Sequence, residues 1–296
     1  MPKKPPLTPE KRTRIEKQGS TAQGIKLAYN ASQQARYQRE LLKLVRAMTK
    51  QTKSALVALF DSGVADDFFD QQAEIVAMDA SVTAKAKKVL SKLKAKFENL
   101  FNSNSILLAS NMVEGASKTS RTALHVSLKQ LSGGLSLKTG IVTQGQGQVA
   151  QAAVQENVSL IKSIPSEYFK NITGSVMRSI TTGRGMADLL PEIQKYNGMT
   201  ARRAKNLALD QTRKAYNSIN KQRLVALGVK QFRWLHSGGG QVPRKSHLGI
   251  NGIVFSFENL ESEQAAHGVP LADRGIPGQA INCRCTMQPV IDFSEE

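Results

Sequence analysis

TARRAKNLALDQTRKAYNSINKQRLVAL (residues 200–227), followed by Gly228 and then by QFRWL (231–235), is the stretch that decides the fold. Ala204, Ala208, Ala215 and Ile219 recur at helical spacing on one side of it, so it reads as a long amphipathic helix. Thr200 is placed to cap its N-terminus and Gly228 to end it. Beyond Gly228 the period drops to two. Gln231 to Leu235 and Ile253 to Phe257 alternate like short strands, and Ser237 to Asn282 is rich in Gly, Pro and Asn. The expected class is mainly α: a helical N-terminal body followed by a small α+β, loop-rich C-terminal module.

Working outward towards the N-terminus, Leu41, Leu44, Val45 and Met48 predict a helix over Ile25–Phe60. A second is expected over Ser81–Phe101 and a third over Ser105–Leu131, stopped at Gly133–Gly134. Ser136–Gly147 reads as a linker. A short helix Gln148–Ser163 closes at Ile164–Pro165, and another, entered through Gly183 and Gly185, breaks at Asn197–Gly198. Three segments follow: a basic flexible arm over 1–23, a helical domain over 24–147, and a domain over 148–296 with long helices to 228 and the α+β module over 229–296. The arm holds Pro2, Pro5, Pro6 and Pro9 among its charges and is expected to order only against a partner.

The chain of 296 residues carries a formal charge of +18. That balance favours a polyanionic partner, nucleic acid before an anionic membrane or an acidic protein face. No stretch is apolar enough to span a bilayer, and Met1–Ser20 is too polar for a secretory signal, so no membrane partner is expected. Cys283 and Cys285, the two cysteines, are one residue apart; a bond between them would close a strained ring, which argues against a disulfide-stapled secreted domain. The expected nucleic-acid contacts are Lys3, Lys4, Lys11, Arg12 and Arg14 in the arm, and Arg202, Arg203, Lys214, Lys221 and Arg223 on the long helix. On that helix Arg203, Lys214 and Lys221 fall nearly on one line. An ordinary solvated face explains the same pattern.

Three of the four histidines and both cysteines lie between Trp234 and Val290. His236, His247, Cys283 and Cys285 offer two imidazoles and two thiolates, a set that suits tetrahedral zinc, with His267 a further candidate. Their spacing departs from the usual close pairs, and buried cysteines packing as small hydrophobes give the bland alternative. No metal is required by this reading. The return of Pro277–Cys285 over the strands is expected because Ile281 needs burial. Cys283 and His247 also allow a thiol nucleophile and base, but no oxyanion-type glycine motif precedes the cysteine. Gly239–Ser246 ends like a phosphate-binding loop, yet Arg244 stands where glycine is needed.

Trp234-x-His236-Ser-Gly-Gly-Gly-x-x-Pro243-Arg244-x-x-His247, then Asn251-Gly252-x-x-Phe255, then Pro277-Gly278-x-x-Ile281-Asn282-Cys283-Arg284-Cys285, with Pro289–Val290 at the end, form an ordered signature. It resembles that of the Mu F-like minor head proteins of bacteriophages. Upstream, the glycine-marked helix at Thr182–Tyr196 and the Asp210-Gln-Thr-Arg segment sit where that family has matching elements, so the likeness covers Ile172 to Val290. The family's threonine–glutamate pair appears here as Thr212–Arg213, which removes any charge role of that glutamate.

The resemblance implies that 148–296 is a head-morphogenesis domain whose Trp234, Pro243, Arg244, Asn251, Gly252, Pro277, Asn282 and Arg284 serve structure. It implies a non-enzymatic minor capsid protein, present in low copy or in several copies per virion. Its implied partners are the portal protein or inner capsid surface and packaged double-stranded DNA, and it would pass through the host cytoplasm during assembly and act in DNA delivery. The rival classes are a zinc- or thiol-dependent hydrolase or toxin-like effector, and a basic nucleic-acid-binding protein unrelated to phage.

Overall fold

The computed structural model describes residues 21–61, 75–131, 144–182, 186–238 and 242–292. Four long helices dominate: α1 (Ala31–Asp61), α2 (Ile75–Leu131), α3 (Gln144–Thr181) and α4 (Met186–Ala226). A four-stranded antiparallel sheet follows the order β1-β4-β2-β3, from β1 (Thr21–Gln23), β2 (Gln231–Leu235), β3 (Val254–Ser256) and β4 (Thr286–Asp292). Two short helices, α5 (Lys245–Gly249) and α6 (Leu260–Ala266), and a 3₁₀ turn at Leu271–Asp273 fill the loops between strands. The mainly α class with a small α+β module is therefore what the chain adopts. No described helix is long and apolar enough to cross a membrane.

The helices are fewer and longer than local sequence suggests. The expected break at 102–104 is absent, and α2 runs through it. Asn104 Nδ2 and Ser103 Oγ bond back to the Leu100 carbonyl, and Ser105 Oγ to that of Asn102, so these side chains satisfy their own helix instead of competing with it. Phe97, Phe101 and Ala109, all fully buried, hold one face across the junction. Likewise α3 continues through Pro165, because Ile161, Ile164, Tyr168 and Phe169 are buried on either side; packing there outweighs the roughly 3 kcal/mol that an interior proline costs. In α4 neither Pro191 nor Asn197–Gly198 ends the helix. Asn197 accepts a hydrogen bond from Tyr168 at 2.9 Å, and Thr200 is no cap: its hydroxyl donates to the Tyr196 carbonyl within the helix.

The end of α4 is as expected. Gly228 has φ +79, its N–H reaches the Val225 carbonyl, and Val229 N–H reaches that of Leu224. This is a glycine-capped Schellman end, with Leu224 and Val229 both buried beside it.

Two compact units emerge. One gathers the described residues within Ala35–Asn111 and Val154–Ala208. There Phe97 stacks on Phe169 at 6.3 Å and Tyr37 bonds Asn157 at 3.1 Å. The other gathers those within Met1–Gln34, Met112–Ala153 and Leu209–Glu296, and so contains the sheet. Its outermost pairing departs from expectation: β1 lies in the last residues of the expected arm and pairs Thr21 with Asp292 and Gln23 with Val290. Pro289 stands in the central strand β4, opposite Phe232. Its carbonyl accepts the Gly24 N–H, so its missing donor faces Gly24 as well, and the Gly24 carbonyl accepts from Gln288 Nε2 at 2.6 Å instead.

Residues 1–20, with Lys3, Lys4, Lys11, Arg12 and Arg14, lie outside the described residues. So do Gly133–Gly134, most of the expected linker, Gly183, Gly185 and the glycines at 239–240.

Candidate functional site

His247 sits on α5, whose start is fixed by Arg244 and Ser246. Both side chains donate to the carboxylate of Asp273 at 2.8 Å. The backbone carbonyl of the same Asp273 faces His247 Nε2 at 3.0 Å. A carbonyl only accepts, so Nε2 carries the hydrogen. In the neutral ring the lone pair is then on Nδ1, which lies 3.5 Å from Cys283 Sγ and 3.7 Å from Cys285 Sγ. The three ligand atoms fall within 4.8 Å of one another. All three residues are buried, with 2%, 3% and 4% of their surface exposed for His247, Cys283 and Cys285.

The loop that delivers the sulfurs is held from several sides. Arg244 donates a second hydrogen bond, to the Ile281 carbonyl at 2.8 Å. Asn282, at φ +58, gives its N–H to Asp210 on α4. Gly278, at φ +84, packs so tightly on α4 that a Cβ there would lie 2.6 Å from Asn217 Nδ2. Buried Gln264 on α6 clamps Gly275 through both its amide atoms, at 3.0 and 2.7 Å. The return of this loop is therefore driven by polar anchors and by burial of Ile276, Ala280 and both cysteines. Ile281, expected to supply the driving force, is 67% exposed; its carbonyl matters and its side chain does not.

The sulfurs sit among N–H groups. Gly278 N–H donates to Cys283 Sγ at 3.3 Å. The indole of Trp234, fully buried and edge-on to His247 at 4.9 Å, has its N–H without a hydrogen-bond partner, yet close enough to Cys285 to favour the charged sulfur. A hydrogen bond from Cys285 holds the Cys283 thiol far below its ordinary range, to about 4, against the opposing effect of burial and with help from His247. Cys285 is pushed up by that same hydrogen bond and by burial. For His247 burial acts to lower the pKa, but the bonds to Cys283 and to Asp273 outweigh it and the net direction is upward.

His236 and His267 stand apart from this cluster among the described residues. His236 uses Nδ1 to accept the Gly238 N–H and gives its own backbone N–H to Asn251, while His267 lies exposed, edge-on to Phe255. The remaining motif residues divide by exposure. Trp234 and Pro277 are buried, whereas Pro243 and Arg284 are exposed. Gly252, at φ +85, completes the bonded pair between Trp234 and the turn after α5.

The basic residues of α4 do not form one open stripe. Arg223, only 6% exposed, donates to the Ser117 carbonyl and hydroxyl at 2.7 and 2.9 Å, an internal role that removes it from the phosphate-contacting set. Arg203 pairs with Glu167 and bonds Ser163, and Lys214 pairs with Asp210 at 3.1 Å. Lys221 is half-buried and Arg202 exposed. Helix α1 carries a basic face that was not among the expected contacts: Arg36, Arg39, Lys43, Arg46 and Lys50 are all exposed. Their steps of three and four residues keep them within an arc of about 100° along about 21 Å of helix. Lys85, Lys87, Lys88, Lys92, Lys94 and Lys96 on α2 are exposed as well.

Comparison with known proteins fits the signature described above. No solved structure matches the chain. An uncharacterized protein of Haemophilus influenzae is 28% identical over 267 residues, covering 88% of this chain and 54% of that protein. The chain thus spans about half the length of the curated relative it matches. Residues 170–288, which include the cluster, Asp210 and most of the sheet, match the family described as Phage Mu protein F like protein.

Proposed function

We propose that this protein is a minor component of a phage head, acting in head morphogenesis at the portal or inner capsid surface, in contact with packaged double-stranded DNA. The family match over residues 170–288 carries the reading. The charge of +18 and the exposed basic face of α1 support the contact with DNA, since phosphate neutralisation by Lys and Arg needs surface cations rather than sequence-reading side chains. In this reading the protein works by docking, within the virion and beforehand in the host cytoplasm, and travels with DNA at delivery. The hydrolase reading gains little from the cluster: a nucleophile needs a path for substrate, and Cys283 and His247 are both enclosed.

The test is quantitative mass spectrometry of density-purified heads from a strain producing the phage, comparing filled and empty particles. Peptides of this chain at low copy relative to the major capsid protein, and crosslinks to the portal, are the expected result. Heads of both kinds that contain none of it overturn the proposal.

A further inference from the structure

We infer that His247 Nδ1, Cys283 Sγ and Cys285 Sγ are three ligands of a structural zinc ion in the C-terminal module. Geometry comes first. Zinc–sulfur and zinc–nitrogen bonds of about 2.3 and 2.0–2.1 Å at tetrahedral angles put sulfur and nitrogen about 3.5 Å apart. The observed separations from His247 Nδ1 are 3.5 and 3.7 Å, so two edges of a tetrahedral face already match, and the third, between the sulfurs, is no longer than 4.8 Å. The two sulfurs come from alternate residues of the loop just before β4, both buried, with exposed Arg284 between them.

The surroundings suit a metal better than they suit packed thiols. His247 donates its far N–H to a backbone carbonyl, the usual outer contact that orients a metal-binding imidazole. Gly278 N–H points at one sulfur, and the indole N–H of Trp234, otherwise without a partner in a fully buried position, lies beside the other. Donors aimed at sulfur favour thiolate. Two thiolates, a neutral imidazole and a dication sum to zero net charge, which is the condition for burying them together. On binding, the two thiol protons go to solvent, while the ring keeps its hydrogen on Nε2 and binds through Nδ1. No fourth His, Cys, Asp or Glu ligand joins the cluster among the described residues. The burial of the sulfurs makes the role structural: the ion ties α5 to the loop before β4. The inference rests on these contacts alone and stands whether or not the protein is a head component.

The chain has two cysteines, which makes the test sharp. The full-length protein is purified without chelator for metal analysis, and cobalt(II) is then exchanged into it. About one zinc per chain is expected, and the cobalt form should show a thiolate-to-metal charge-transfer band in the near ultraviolet, which no other residues can supply. C283S, C285S and H247A should each lose the ion, with circular dichroism reporting whether the helices persist. Since a variant could fail to fold, the wild-type spectrum is the deciding measurement. Folded wild-type protein that takes up neither zinc nor cobalt, or a cobalt form without the charge-transfer band, overturns the inference. So do thiols that, in folded protein stripped of metal by chelator, titrate equally fast with and without added zinc.

Discussion

Asp210 of helix α4 accepts the backbone N–H of Asn282 at 2.7 Å, and so joins the middle of a long helix to the one non-glycine residue with positive φ among the described residues. Its second oxygen meets Lys214 Nζ at 3.1 Å. The carboxylate therefore does for the cysteine loop what an N-cap does for a helix end: it supplies an acceptor to a backbone donor that has no neighbour of its own.

Replacing Asp210 by Ala should cost about 2 kcal/mol, the range for a hydrogen bond to a charged group whose backbone partner is then stranded. D210N, which keeps an acceptor, should cost clearly less. K214A should stay within about 1 kcal/mol, because that pair is partly open to solvent. Denaturant unfolding of the three variants checks the order; K214A costing as much as D210A would refute it.

Two glycines with similar φ separate strain from steric crowding. Gly228 at φ +79 has open space where a Cβ would go, whereas Gly278 at φ +84 has Asn217 at 2.6 Å. G228A should lose about 1 kcal/mol, the left-handed penalty alone. G278A should lose more, and adding N217A should recover part of the excess but none of the φ penalty. Equal melting temperatures for G228A and G278A would show that the turn can move away from α4.

Arg223 and the α1 cations should behave oppositely. R223A leaves the Ser117 carbonyl without its donor, so about 1–3 kcal/mol of stability should go, and R223K should not restore the two-armed grip. The salt dependence of any DNA binding should be unchanged in R223A at temperatures where it remains folded, because a buried guanidinium neutralises no phosphate.

Neutralising Arg39, Lys43 and Arg46 together to Gln should leave melting almost untouched, because all three are exposed. It should flatten the slope of log affinity against log salt by up to about 0.9 for each phosphate that is no longer neutralised. Filter binding of a random-sequence duplex at several salt concentrations measures this. A slope equal to that of the wild type would place the DNA-facing surface elsewhere.

What the sequence disclosed and withheld follows from the range of the forces involved. Gly228, β2 and β3 were readable because caps and alternation are local; the meeting of His247 with the cysteines was expected from the wrong cause, since Ile281 stays exposed and polar anchors 26 to 72 residues apart hold the loop. Helix continuity at 102–104, Pro165 and Asn197–Gly198 was not readable, since burial contributed by partners distant in sequence overrode local breakers. The same distance hid the internal use of Arg223: its partner, Ser117, is 106 residues away. Strand β1 escaped notice because three residues carry no periodicity, and β4 because Pro289 argues against a central strand until its neighbour is known. The basic face of α1 was legible at 36, 39, 43, 46 and 50; what could not be read was that the cations of α4 would be largely engaged within the protein and those of α1 open.

The pairing of Thr21–Gln23 with Val290–Asp292 sets a timetable for synthesis. The first described strand leaves the ribosome long before its partner exists, and some 270 residues must follow before the ladder can form. Until then residues 21–23 have no sheet to join, and β2 lacks the neighbour that separates it from β1. Shortening the basic arm beyond residue 20 would strip an edge from the finished sheet, and a nascent chain stalled before residue 286 would present β2 with an open hydrogen-bonding side. Until residues 286–292 are available to pair, the open side of β2 is a place for strand-mediated association with other chains, so completion of the sheet waits on its last described strand.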